Sequence, residues 1–537
     1  MSMKDTVCDL VKRMTGRDDV AEICARAVMN GVGEEDSRDG GDVCCRVDDK
    51  DAELLGEVPQ VVVSVTADTD PDAVVVPFAL CGNLLYTRRI WRYEQIVRRR
   101  VREMAASSWM PGIAVPAEGE YAALRATDQQ PAVPKLLATR FSILTGGPGT
   151  GKTFTLGKAV KLMREQNPEA MVALAAPTGK AAARINESLE DLKRQGLLDG
   201  VQPATTLHAL LKPRPDFVTF RHDRSNPLPL DWLVVDEASM IDLPLMAKLL
   251  DALPETCALT LIGDAHQLAS VEQGRVFGDL CGMFAQNVAK LTVSSRFVSG
   301  GTIDRLARAV NNGDEDAFVQ VKSVLEEGQG AFYQDICDNA FSPDSWGDFR
   351  AQIQKGFAAF ASSSTPEEAL ENLNRFRILC ALRKGPYGVE ALNRYVESVL
   401  GNGCPRPVMI TQNDRMLEVH NGDVGVVMPR QSLQDPQYLC LPTLKNGIRR
   451  IRVELLPGTE SAFATTIHKS QGSEYGDVAI VLPPKDESPL LTREILYTGI
   501  TRTKGTVRIY AGDASLEACC RRSVERLTGL CSSHILV

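Results

Sequence analysis

Phe141-Ser-Ile-Leu-Thr-Gly-Gly-Pro-Gly-Thr-Gly-Lys-Thr153 is an apolar run that breaks into a glycine-rich loop ending in a lysine and a threonine. Gly146, Gly149 and Gly151 let the backbone turn tightly enough for its N–H groups to face a phosphate, and a following helix N-terminus adds partial positive charge. Lys152 brings a point charge for the β- and γ-phosphates, and Thr153 a hydroxyl for Mg²⁺, completing a G-x-x-x-x-G-K-T pattern. Gly147, Pro148, Thr150 and Phe154 fall inside the same nucleotide-contacting stretch. A strand before the loop and a helix-like segment from Phe154 to Glu165 after it are the context such a loop needs, so a nucleoside triphosphate is the first ligand to expect.

Outward from the loop, the chain reads as alternating units: strand Ala170–Ala176, helix Gly179–Arg194, strand Trp232–Val235 and strand Leu259–Ile262. That alternation predicts an α/β fold with a parallel sheet covered on both faces, whose ligand chemistry gathers where strands end. After Leu233-Val-Val come Asp236 and Glu237, the first placed to hold Mg²⁺ and the second to orient and deprotonate an attacking water. The next strand runs into Gly263-Asp-Ala-His-Gln267, where a glutamine can bond a γ-phosphate and report its loss.

At 537 residues the chain is long enough for roughly three or four domains. Hydrophobic residues at 44% and charged residues at 24% describe an ordinary globular composition. No run of about 18 apolar residues occurs, the first twenty residues lack the apolar core of a signal peptide, and the 14 cysteines show no C-x-x-C spacing, so a reduced cytoplasm and no membrane are expected. Cys44-Cys45 and Cys519-Cys520 read as small buried hydrophobes or surface thiols. The net charge of −9 does not decide for or against nucleic acid, because a local groove suffices. Gly31–Glu57 is the best loop candidate, and Leu84–Val101 combines helical periodicity with clustered arginines and aromatics, read either as a solvated helix face or as a docking surface.

Further stretches complete an ordered set: Ala176-Pro-Thr-Gly-Lys-Ala-Ala-Ala-Arg184, Thr205-Thr-Leu-His-Ala-Leu210, Ser295-Arg-Phe, Ala464-Thr-Thr-Ile-His-Lys-Ser-Gln-Gly-Ser-Glu474 and Tyr497-Thr-Gly-Ile-Thr-Arg502. With them the chain resembles the superfamily 1 helicases, and within that group the RecD family, the alpha subunit of exodeoxyribonuclease V (RecBCD). Asn226–Asp242, Phe376–Gly388 and Asn421–Gly425 carry the closer likeness, which runs from about Arg88 to the C-terminus. The resemblance implies ATP and Mg²⁺ as cofactors and two RecA-like P-loop motor domains with parallel sheets. It also implies 5′ to 3′ movement along one strand at duplex DNA ends in recombinational repair, with RecB-like and RecC-like subunits as partners in a hetero-oligomer. A stand-alone helicase and an ATP-gated regulatory subunit are the other two readings.

Carried over by motif, Lys152, Thr153, Asp236, Glu237 and Gln267 belong to the first motor domain, and Arg296 and Arg502 are the arginines of the second. A planar, always charged guanidinium suits developing phosphoryl charge. Pro177, Thr178, Lys180, Thr206, His208, Thr466, His468 and Lys469 fall in motifs that line the strand groove of similar proteins, and Glu474 is a ribose-contact candidate. The adenine-reading glutamine is Gln129, with Gln130 as the alternative. Where similar helicases place an aromatic before the fourth-motif arginine, Ser295 stands here, leaving base stacking to Phe297 or absent; His266 replaces a usual acid.

The expected domains are 1–105, mostly helical and partner-docking; 106–290, the first motor domain; and 291–400 with 464–537, the second. Four short strand-like runs predict a small β-barrel insert over residues 401–463, and the resemblance implies that it is similar to an SH3 barrel. Asp216–Asn226 reads as an exposed hairpin over the groove.

Overall fold

In the computed structural model, the described residues are 2–29, 41–66, 68–110, 112, 114, 116, 128–194, 201–214, 217, 219–270, 273–294, 300–336, 343–401, 403–414, 416–430, 432, 435–443 and 447–530, with backbone alone at 191 and 192. They fall into two compact units. The first comprises Met1–Ala265, Ala269–Val293 and Glu525–Val537, and the second His266–Leu268 with Ser294–Val524.

The first unit opens with α1 (Met3–Thr15) and α2 (Asp18–Met29), then β1 (Cys45–Arg46), α3 (Asp49–Gly56), β2 (Val62–Val65), β3 (Phe78–Cys81), β4 (Leu84–Thr87) and α4 (Arg88–Ala106). The strands form a sheet in the order β1-β4-β3-β2, so the expected mostly helical N-terminal region is mixed α/β. The expected Gly31–Glu57 loop likewise holds a strand and a helix in its described part. Val43, Cys44 and Cys45 are buried there, hydrophobic spacing that acidic neighbours conceal in the sequence.

Helix α4 presents Arg89, Arg99 and Arg102 to solvent on one face and buries the other. Its Ile90, Trp91, Ile96, Val97, Val101 and Met104 share one apolar core with the P-loop strand's Phe141 and Ile143. Residues 1–105 are therefore part of the same compact unit as the P-loop sheet. Glu94 and Arg98 are buried with them, and their partners come from the far end of the chain. Arg98 Nη2 donates to Gly529 O at 2.7 Å, Gly529 N donates to Glu94 Oε2 at 3.0 Å, and Tyr86 Oη donates to Glu94 Oε1 at 3.2 Å. The tail continues the anchoring through Leu527 N to Asp42 Oδ1 (2.7 Å) and Arg526 Nη1 to Gly274 O (2.8 Å). Glu525–Leu530 thus lies with the first unit, whereas 464–537 was expected in the second motor domain.

After α5 (Gln129–Ala138) come β5 (Phe141–Gly146), α6 (Lys152–Gln166), β6 (Val172–Ala176), α7 (Gly179–Arg194), β7 (Thr205–Thr206), α8 (Leu207–Leu211), β8 (Trp232–Val235), α9 (Leu243–Ala252), β9 (Ala258–Gly263) and β10 (Val288–Leu291). The sheet order is β10-β5-β9-β8-β6-β7, and every pairing is parallel. Helices cover both faces, so β5, β8 and β9 are buried at every position rather than alternately. Ser142 Oγ and Trp232 Nε1 both meet Thr260 Oγ1, at 2.8 and 2.9 Å, a satisfied polar bridge across three strands that fixes their register.

The second unit holds β11 (Ala331–Asp335), β12 (Phe376–Cys380), β18 (Ala464–Thr466), β19 (Asp477–Val481) and β20 (Val507–Ala511), a parallel sheet in the order β11-β20-β19-β12-β18. Between β12 and β18 the chain makes β13 (Arg406–Ile410), β14 (Val424–Val427), β15 (Tyr438–Pro442), β16 (Ile448–Arg452) and β17 (Thr459–Ser461), an antiparallel sheet in the order β16-β15-β14-β13-β17. Its core is Ile410, Val419, Val427, Leu439, Leu441 and Ile451. Gly425 is required there, because a Cβ would lie 2.6 Å from Cys440 O on the neighbouring strand. No helix among the described residues is long and apolar enough to cross a membrane.

Candidate active site and strand-facing residues

The loop after β5 bends through Gly149 at φ 76° and Gly151 at φ 81°, left-handed conformations that glycine adopts without strain. Gly146 is also pinned: a Cβ there would stand 2.6 Å from Leu291 O of the neighbouring β10. Lys152 opens α6 and donates from Nζ to Gly146 O at 2.6 Å and to Gly147 O at 3.0 Å, so its charge is held at the loop by the loop's own carbonyls. Thr150 Oγ1 bonds Gly147 O at 2.9 Å and closes the turn. Of the two adjacent glutamines, Gln129 is buried and donates from Nε2 to Thr150 O at 3.1 Å, whereas Gln130 faces solvent.

Two strands along, β8 delivers Asp236 and Glu237. Enclosure of the Asp236 carboxyl, reinforced by neighbouring Glu237, pushes its pKa up, against the pull of Lys152 and Arg184. Lys152 and Asp236 therefore act on each other across the strand ends. Asp236 Oδ1 accepts the Glu237 N–H at 2.8 Å. Glu237 itself sits at φ 52°, ψ 37°, a left-handed conformation that costs a side-chain-bearing residue roughly 1–2 kcal/mol. Such strain is found where a side chain must be aimed. Thr153 and Asp236 offer a hydroxyl and a carboxylate to a hard cation, a pair that suits Mg²⁺ shared with phosphate oxygens.

In the second unit Arg502 is buried and fully engaged. Nε donates to Thr498 O at 3.0 Å, Nη1 to Ser473 O at 3.4 Å and Nη2 to Gln267 Oε1 at 2.8 Å. Gln267 follows β9, yet by its contacts His266–Leu268 belongs to this second unit. Leu268 N donates to Thr498 Oγ1 at 3.1 Å, Gln471 Nε2 donates to Leu268 O at 2.9 Å, and the His266 ring lies edge-on to Tyr497 at 6.1 Å. Glu474 pairs with Lys504 at 3.1 Å. Arg296, with Ser295 and Phe297, lies outside the described residues.

Three threonines expected at the strand groove share a second role that their spacing signals: each hydroxyl accepts a backbone N–H three residues on. Thr178 takes Ala181 N at 3.2 Å, Thr206 takes Ala209 N at 3.1 Å, and Thr466 takes Lys469 N at 3.2 Å. They cap the starts of helical turns that follow β6, β7 and β18, leaving each O–H proton to give. Pro177 is half-buried beside Thr178, and Lys180 and His208 are exposed. The His208 ring stands 5.7 Å from Phe220, whose hairpin is held by Arg221 N to Lys212 O at 2.8 Å. Asp216 and Val218 of that expected hairpin lie outside the described residues. His468 is half-buried in the turn His468–Ser470, and Lys469 is paired with Glu460.

A glycine-rich loop after β5 and an acid pair after β8, in one parallel sheet, with a second parallel sheet carrying a buried arginine, define a P-loop ATPase of the helicase type. An AAA domain matches residues 129–273 and a UvrD-like helicase C-terminal domain matches residues 461–510. The RecBCD enzyme subunit RecD of Mycolicibacterium smegmatis is 38% identical over 529 residues, covering 91% of this chain and 90% of that one. Its counterpart in Mycobacterium tuberculosis is 38% identical over 477 residues, covering 83% and 79%. The chain belongs to the RecD family. A solved structure of Pif1 helicases at forked duplex DNA aligns at a TM-score of 0.41 and 17% identity, over 72% of this chain and 92% of that one.

Proposed function

We propose that the chain is the ATP-driven DNA translocase and helicase subunit of a RecBCD-type exonuclease, moving 5′ to 3′ from duplex ends during recombinational repair, in company with RecB-like and RecC-like subunits. Support for the assembly comes from the names its relatives bear. The observation that carries the chemistry is the joint placement of Lys152 and the strained Glu237 at the ends of two strands of one sheet.

Lys152 would leave the Gly146 and Gly147 carbonyls for the β- and γ-phosphates, and Gln129 would flank the base. Glu237 would orient the attacking water and accept its proton, while Arg502 and Arg296 meet charge developing on the transferred group. Mg²⁺, when bound through Thr153 and Asp236, would neutralise phosphate charge. Gln267, bonded to Arg502, would hydrogen-bond the γ-phosphate and report its loss. The antiparallel insert, read as an SH3-like barrel, and the capped turns after β6, β7 and β18 would hold a single strand through phosphates and sugars, without sequence preference.

The test is ATP hydrolysis by the purified chain with and without single-stranded DNA. Turnover should rise several-fold or more with DNA and vanish in Lys152→Gln with an unaltered melting profile. A rate indifferent to DNA would reject the motor reading, and DNA-stimulated hydrolysis surviving in Lys152→Gln would show the loop assignment to be wrong.

A further inference from the structure

The run Phe376-Arg-Ile-Leu-Cys-Ala-Leu-Arg-Lys-Gly-Pro-Tyr-Gly388 plays no part in the chemistry above, yet its strand and the neighbouring β18 place two cations together. β12 and β18 are parallel neighbours with Cys380 opposite Thr466. Three residues further along each chain, Arg383 and Lys469 therefore leave the same carboxyl edge of the sheet, the edge at which such folds take ligands. From the insert, β17 brings Glu460 between them, held in register opposite Met409 of β13. Lys469 Nζ meets Glu460 Oε1 at 2.7 Å, and Arg383 Nη2 meets Glu460 Oε2 at 3.3 Å.

Two cations thus share one oxyanion, the geometry that a polynucleotide phosphate asks for. The site is reachable from solvent: side-chain exposure is 42% for Arg383, 28% for Lys469 and 24% for Glu460. Ion pairs this open are weak and exchange readily. A carboxylate tied to an insert strand can give way to a phosphate without disturbing β12 or β18.

We propose that Arg383 and Lys469 form one phosphate contact for a single DNA strand, and that Glu460 is a built-in competitor holding the pair until a phosphate displaces it. This rests on the reading of Lys469 as a strand contact and adds Arg383 and Glu460 to it.

The experiment is fluorescence anisotropy of a labelled oligodeoxythymidylate with the full chain over a salt series, for wild type, Arg383→Ala, Arg383→Lys, Glu460→Gln and Lys469→Ala. Arg383→Ala should weaken binding roughly 3- to 10-fold and flatten the log–log salt slope by about 0.7, one phosphate's share for a single strand. Arg383→Lys should keep the slope. Glu460→Gln should bind more tightly than wild type by a similar factor. Wild-type affinity and slope in Arg383→Ala, alongside a loss in Lys469→Ala, would overturn the proposal and leave Lys469 in place. Indifference of both variants would remove the reading of Lys469 as well. Weaker binding by Glu460→Gln would make Glu460 a brace for Lys469 and end its role as competitor.

Discussion

Gln267 and Arg502, 235 residues apart in sequence, are joined by a 2.8 Å hydrogen bond between buried side chains. Gln267 follows the strand beside the P-loop strand, and Arg502 follows the helix Arg493–Ile500 of the second unit. One hydrogen bond thus ties a segment leaving the nucleotide-binding sheet to the arginine that hydrolysis is proposed to use.

Gln267→Ala removes the acceptor facing Arg502 Nη2 and leaves the carbonyls of Thr498 and Ser473 in place. A bond to a charged donor is worth about 1.5–3 kcal/mol, so thermal unfolding of the variant should move down by that order. DNA-stimulated kcat should fall more than about 10-fold, with ATP affinity held within a factor of about 3. Steady-state hydrolysis and nucleotide titration separate the two effects, and wild-type kcat would remove Gln267 from the mechanism.

Glu237 combines a chemical and a conformational prediction. Glu237→Gln keeps the backbone and loses the base, so ATP should still bind while turnover drops by about 10²-fold or more. Glu237→Gly also loses turnover but relaxes the left-handed backbone, and should raise stability by up to about 1 kcal/mol. Melting curves of the two variants compared with wild type read this directly. A Gly variant less stable than the Gln variant would contradict the strain.

Burial outweighs Arg98, Gly529 and Tyr86 at Glu94 and pushes its pKa from 4.5 up to about 7. The folded state then binds the proton more tightly than the unfolded chain does. This contribution to stability is full below pH 4.5 and is lost as pH rises to about 7, a change of about 3 kcal/mol. Glu94→Gln, neutral at every pH, should flatten that part of the profile and gain relative to wild type above pH 7. Denaturation midpoints at pH 5, 6, 7 and 8 provide the measurement, and parallel profiles for the two proteins would refute the shift.

The neighbouring glutamines give a direct contrast. Gln129→Ala removes the bond to Thr150 O and should raise the KM for ATP about 5-fold or more, since a hydrogen bond of this kind contributes about 1 kcal/mol. Gln130→Ala, changed at an exposed position, should leave KM within a factor of about 2. The reverse order would transfer the base-reading role to Gln130.

Much of the first motor sheet was legible because its chemistry is local. Strands β5, β8 and β9 are largely apolar runs leading into the loops at Gly146, Asp236 and Gly263, and helix α7 was expected with the bounds it has. Four of the five insert strands were legible as short strand-like runs between turn residues, whereas Thr459–Ser461 was not. What escaped was long-range. The buried side of the arginine-rich stretch after Leu84 was hidden because a buried Glu94–Arg98 pair needs partners, and its partner Gly529 lies 431 residues from Arg98. The N-terminal sheet escaped because β1 is two residues long and the acidic neighbours of Val43–Cys45 mask it. The capping role of the three groove threonines was available in principle, since each stands just before a helical turn, but a hydroxyl that caps and one that meets a ligand carry the same sequence signal.

The return of Glu525–Leu530 to the first unit imposes an order on biosynthesis. The chain emerges from the ribosome from its N-terminus, so the buried Glu94 and Arg98 of α4 wait for Glu525–Leu530 to be translated before they acquire the carbonyl and amide of Gly529. Until then the nascent first unit carries Glu94 and Arg98 without their final partners and an apolar slot without Leu530. Premature termination anywhere in the second unit therefore leaves the first one incomplete as well, so a truncated product offers proteases a flawed substrate rather than a functional ATP-binding fragment.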